Sequence, residues 1–150
     1  MALHALVVAW FVFLPLPIGE TAVAAARAAA TYDHNAVPLA TLTFQLRGGL
    51  TAFELQQWIG NLLLLLPLGV YGPMRWPALR GVGWLVLAAA VASGAIELAQ
   101  LGLAIGYGFP VRVADVDDVL LNTLGAALGW LGWRRFVRGS AHAMGRIGGA

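Results

Sequence analysis

Four of the seven acidic residues in this 150-residue chain, Glu97, Asp115, Asp117 and Asp118, fall within one short stretch. Their oxygens are hard ligands of the kind that suit a divalent cation such as magnesium, and a desolvated carboxylate such as Glu97 can serve as a general acid. These four are therefore the candidate catalytic residues, and Asp115, Asp117 and Asp118 the candidate metal ligands. Arg112 stands just before the aspartates, and its planar fork of donors fits a phosphate or a carboxylate. Ser93, Gln100, Asn61 and Asn122 add neutral polar groups to this candidate binding set. Nucleophilic thiols and disulfides are excluded because the chain has no cysteine. His4, His34 and His142 are spread over three segments without the spacing of a zinc site.

The elements that must position these residues are set by an apolar composition. Hydrophobic residues make up 60% of the chain and charged residues 11%, and the mean hydropathy is +0.79. Too few ionised side chains are present to clothe a soluble core, so lipid is the expected solvent. A spanning helix needs roughly 20 mainly apolar residues, and four stretches approach this: Leu3 to Ile18, Phe53 to Tyr71, Val82 to Leu103 and Val119 to Phe136. The expected fold is thus all-α, an integral membrane bundle of about four transmembrane helices with a long first extracytoplasmic loop. Within that loop, Ala22 to Ala30 reads as a short interfacial helix. Arginine counts orient the bundle. With both termini and the Gly72 to Gly81 turn inside, the cytoplasm receives Arg75, Arg80, Arg134, Arg135, Arg138 and Arg146, and the outer face Arg27, Arg47 and Arg112. A rival reading makes Leu3 to Pro17, followed by small residues, a cleaved signal peptide, which leaves three spans. The net charge of +2 carries no basic stripe, so no nucleic-acid partner is expected.

Antiparallel spans bring Asn61, Glu97, Gln100 and Asn122 to one membrane face, beside the loop that carries Arg112 and the aspartates. With the third span ending at Leu103, Glu97 lies roughly 9 Å inside it at a rise of about 1.5 Å per residue. A carboxylate there needs a partner or a wet cavity, and Arg112 is the nearest cation. Ser93, Glu97 and Gln100 share one helical stripe; Asp118, Asn122, Gly125 and Gly129 repeat that spacing on the fourth span. Plainer roles stand beside these. Asp115 and Asp118 read equally as an N-cap and a first-turn acid, Asn61 and Asn122 as interhelical hydrogen-bond partners, and Gly125 and Gly129 as packing positions.

Three blocks give the chain a resemblance to the VanZ-like membrane proteins, a family named for a teicoplanin-resistance accessory protein. They are Gly60 and Asn61 leading through Leu62 to Leu66 into Pro67-Leu68-Gly69, the SGAIELAQ of Ser93 to Gln100, and the RVADVDDVLLNTLG of Arg112 to Gly125. Asn35, Pro38 and Leu39 resemble the family's loop ahead of the second span, where phenylalanine is more usual than Leu39, and Ala114 replaces a bulkier or charged residue. The resemblance treats residues 1–150 as one domain and is strongest over 35–133. Carried over position by position, it implicates Asn61, Glu97, Gln100, Arg112, Asp115, Asp117, Asp118 and Asn122. It implies a multi-pass protein of the bacterial cell membrane linked to glycopeptide resistance, and leaves the biochemical activity open.

Three functional classes fit these residues. In the first, an envelope accessory protein binds a polar head group or a partner at the outer face, the partner being an envelope lipid, a glycopeptide or a cell-wall precursor. In the second, a metal-dependent or acid/base enzyme acts on a lipid-linked envelope substrate. In the third, the chain is a small transporter subunit, a reading for which four short spans leave little internal room.

Overall fold

The computed structural model describes residues 16–30, 34–111 and 113–147, with side chains as far as residue 137. The described elements are helical: α1 (Glu20–Ala29), α2 (Ala40–Gly48), α3 (Ala52–Arg75), a 3₁₀ turn (Pro77–Arg80), α4 (Val82–Tyr107) and α5 (Val116–Ile147). This is the all-α class that the composition predicts. The first expected span, with its signal-peptide alternative, lies almost wholly outside the described residues, as does Arg112. Among the described helices, α4 alone is long and apolar enough to cross a membrane, with a mean hydropathy of 1.8 over its best window. Its surface suits that solvent, since Leu98 is 70% and Ile105 73% exposed, areas of hydrocarbon that water would penalise.

The chain forms two compact units, Met1–Leu50 with Ala92–Val119 and Thr51–Val91 with Leu120–Ala150. In the first, α1 is tied to the end of α4 through Arg27. Its guanidinium donates to the Tyr107 carbonyl at 3.2 Å and lies 5.3 Å from the centre of the Phe109 ring. The last carbonyls of a helix carry partial negative charge, which is where a cation is favoured. The Tyr107 hydroxyl donates in turn to the Pro17 carbonyl at 3.1 Å. Helix α4 stops here because Gly108 adopts φ 71°, the left-handed conformation that glycine enters without steric cost. The predicted end at Leu103 is therefore about one turn short: Ala104 and Ile105 carry the apolar pattern on to this glycine.

The second unit is built on a close approach of α3 and α5. Helix α3 starts in a capping box: the Glu54 amide donates to the Thr51 hydroxyl oxygen at 3.2 Å, and the Thr51 amide donates to the Glu54 carboxylate at 2.7 Å. Further along, a β-carbon added at Gly125 would overlap the Leu62 carbonyl, and one at Gly129 the Leu66 carbonyl. On the facing helix, a β-carbon at Gly69 would overlap the Ala126 carbonyl. The two backbones are thus in direct contact, the use of small residues expected for Gly125 and Gly129. Leu65, Leu85, Ala89, Leu121, Ala126 and Trp130 are buried in this unit.

Gly125→Leu should lower stability by about 1–3 kcal/mol, the range for forcing extra methylenes into a packed contact. Gly132→Leu on the same helix, where a β-carbon meets nothing within 4 Å, should cost nothing. Thermal unfolding of both purified variants in detergent checks this, and equal midpoints would show that α3 and α5 do not touch at Gly125.

Candidate functional site

The first turn of α5 supplies the site's framework. Asp115 caps the helix, its Oδ1 accepting the Asp117 amide at 2.8 Å, so the plainer capping role weighed for Asp115 is observed. Beside it the chain at His34 and Asn35 runs parallel to 114–116. The Asn35 amide donates to the Ala114 carbonyl at 3.0 Å and the Val116 amide to the Asn35 carbonyl at 3.0 Å, and the Ala114 amide donates to His34 Nδ1 at 2.9 Å. That last bond requires an unprotonated Nδ1, so a neutral His34 carries its proton on Nε2. Asn35 also uses its side chain: Nδ2 donates to Asp115 Oδ1 at 2.8 Å and to the Thr41 hydroxyl oxygen at 3.0 Å. The Thr41 hydroxyl donates to Asp115 Oδ2 at 2.5 Å. Asp115 thus accepts from three donors in a buried position.

Asp117 is buried too, at 1% exposure, and both its oxygens face the start of α2. Oδ1 accepts from the Leu39 amide at 2.5 Å and Oδ2 from the Leu42 amide at 3.1 Å. Helix α2 has no side-chain cap of its own, and its N-cap residue Leu39 stands at φ 65°. A left-handed leucine costs about 1–2 kcal/mol. Hydrogen bonds to a charged acceptor, at about 1.5–3 kcal/mol each, offset that. This explains why the sequence reads as a loop where α2 forms, because the cap lies 75 residues further along the chain.

Glu97 approaches the same framework from α4, with Oε2 accepting the Asp115 amide at 2.9 Å. Among the described residues Glu97 Oε1 makes no hydrogen bond, and the side chain is half-buried. Among the described residues a backbone amide partners this acid, and the expected pairing with Arg112 lies outside them. With α4 extended to Tyr107, Glu97 sits about 15 Å from the helix end at about 1.5 Å per residue. Ser93, one turn earlier, is fully buried, and Gln100 is half-buried. Asp118 is half-buried, its amide donating to the Asp115 carbonyl at 3.1 Å. Asn61 and Asn122 belong to the second unit, on α3 and α5, where Asn122 is buried.

Of the predicted residues, then, Glu97, Asp115 and Asp117 are brought into one network, and His34, Asn35 and Thr41 join them. His34 and Thr41 went unrecognised as partners because neither carries a local signal; Asn35 was visible only through the family resemblance. Among the described residues no group of three His, Asp or Glu side chains could hold a metal ion. The Asp115 and Asp117 oxygens face hydrogen-bond donors instead. Chemically, the arrangement holds two carboxylates as fixed acceptors and presents one oxygen of a third.

Asp117→Asn keeps the shape of the side chain but sets an amide nitrogen against one of two backbone donors. Exchange of the Leu39 and Leu42 amides, followed by hydrogen–deuterium exchange in detergent, should accelerate about 10-fold or more, as expected for a lost charged acceptor. Unchanged protection would mean that Asp117 does not cap α2.

Searches of the curated proteins and of the solved structures find no match to the chain. The family model described as VanZ/LLP1 matches residues 1–138. That span takes in α1 to α4, the Asp115–Asn35 framework and most of α5, and the chain accordingly belongs to the VanZ/LLP1 family.

Proposed function

We propose that the protein is a multi-pass membrane protein of the cell envelope, an accessory protein related to glycopeptide resistance. In this reading it binds the polar head group of a lipid-linked envelope component at the outer membrane face. Family membership supports the class. The exposed apolar side chains of α4, and the excess of arginine from Arg134 onward and at the turn before α4, favour a bundle with both termini in the cytoplasm.

The observation that carries the binding site is Glu97. An apolar helix holds this acid by one oxygen, through the Asp115 amide, and leaves the other unbonded among the described residues. An acid kept inside such a helix is a functional group by default, because insertion penalises it. The available oxygen suits a hydroxyl or amine donor of a head group, and Arg112 suits its phosphate or carboxylate. Asp115 and Asp117 act as positioning residues in this scheme: they hold the framework that orients Glu97.

Glu97→Gln leaves an oxygen to accept the Asp115 amide and removes the charge. Expressed in a susceptible Gram-positive host, wild type should raise the inhibitory concentration of teicoplanin. Glu97→Gln should return it toward the empty-vector value, since losing a charged hydrogen bond of about 1.5–3 kcal/mol weakens binding roughly 10- to 100-fold. Leu64→Ala, at matched membrane levels, should behave as wild type. Full resistance from Glu97→Gln would remove the acid from the function, and no resistance from well-expressed wild type would detach this protein from the glycopeptide role.

A further inference from the structure

The second unit carries a groove of about 450 Å³ that the acidic framework does not use, lined by Arg80, Val82, Trp130, Trp133, Arg134 and Val137 among others. Its walls are fixed in place. The Trp130 indole N–H donates to the Arg80 carbonyl at 3.1 Å, which ties α5 to the turn before α4. The Arg80 Nε donates to the Pro73 carbonyl at 3.3 Å, so its guanidinium is held while its terminal nitrogens keep their donors. Arg134 lies 5.1 Å from the centre of the Trp130 ring, and Trp133 lies 6.5 Å from Trp130. Among the described residues neither Arg80 nor Arg134 is paired with a carboxylate.

The charge balance of the unit sharpens this. Its sequence contains Arg75, Arg80, Arg134, Arg135, Arg138 and Arg146 and a single acid, Glu54. Glu54 stands in the first turn of α3 and Arg75 in its last, roughly 30 Å apart at about 1.5 Å per residue. No acid of the unit lies near the arginine end, so its positive charge is open to an external anion. Indole rings with a polar edge and an apolar body favour the membrane–water boundary, where arginine also reaches head groups. Valines at the groove's rim would meet acyl chain, not water. A phosphodiester attached to hydrocarbon answers both halves of this lining, and a free anion answers only one.

We propose that this groove is a binding site for an anionic phospholipid, with its phosphodiester between Arg80 and Arg134 and its glycerol and upper acyl chain against Trp130, Trp133 and Val82. The proposal rests on the multi-pass reading for its membrane context and is independent of Glu97.

Native mass spectrometry of the full chain in detergent tests it, with phosphatidylglycerol, phosphatidylcholine and inorganic phosphate as probes. Wild type should retain one phosphatidylglycerol more tightly than phosphatidylcholine, and millimolar phosphate should not displace it. Arg80→Gln with Arg134→Gln should weaken retention about tenfold or more, as for two charge-assisted contacts. Arg75→Gln with Arg135→Gln, which removes the same charge outside the groove, should change it by less than about threefold, as for solvent-screened charges. Circular dichroism and elution volume confirm folding, and Arg134→Gln alone, expected to weaken retention in the same direction, replaces the double variant if that fails to fold. Equal retention by wild type and the groove variant, equal losses in both double variants, or displacement by phosphate would each overturn the site. A wild type that stays monodisperse without detergent and takes up neither lipid would count against the multi-pass reading itself.

Discussion

Two carboxylates that are buried and close in sequence must each find donors, because an unpaired charge in a low-dielectric setting costs several kcal/mol. Asp115 and Asp117 meet this constraint with one short piece of chain. Asn35 and Thr41 supply the donors for Asp115, the Leu39 and Leu42 amides those for Asp117, and the Asp117 amide closes the turn. The path of the chain from His34 to Leu42 is therefore dictated by the start of α5. The left-handed Leu39 and the helix that follows it are consequences of the same bonds. Glu97 joins through the Asp115 amide, so among these three acids the orientation of the one that keeps an oxygen available depends on whether the other two are satisfied.

A different constraint governs the second unit. There the backbones of α3 and α5 touch because Gly69, Gly125 and Gly129 offer no β-carbon at the contact. The same approach lets Trp130, one residue beyond Gly129, reach the Arg80 carbonyl. Close packing by the smallest residue thus determines where one of the largest is anchored. Helix packing and the arginine-lined groove share one origin in the sequence.

Most of the helical framework was legible in the sequence because apolar runs and their breakers are local signals. The stretches at Phe53, Val82 and Val119 became α3, α4 and α5, and Ala22 to Ala30 became α1. Boundaries shifted where termination depended on one residue's dihedral angle, as at Gly108. Helix α2 was hidden because its cap comes from Asp117, and propensity over Ala40 to Gly48 carries no trace of a donor–acceptor match so remote in sequence. The acids were singled out by their rarity in an apolar chain, and their proximity in sequence does carry through to Glu97 and Asp115. Composition could not distinguish an acid that accepts from its own fold, as Asp117 does, from one that keeps an oxygen available, because that difference lies in backbone geometry.

The separations spanned by the Asp115 and Asp117 bonds also set an order of events during synthesis. Thr41 and Asp115 are 74 residues apart, and Leu39 and Asp117 are 78. While the ribosome is still making α4, Thr41 and the Leu39 and Leu42 amides lack the carboxylates that accept from them, and the first turn of α2 is without its cap. The segment made early is consequently among the last to become ordered, once the start of α5 has emerged and reached it. The order of an early segment thus depends on two aspartates that are made late.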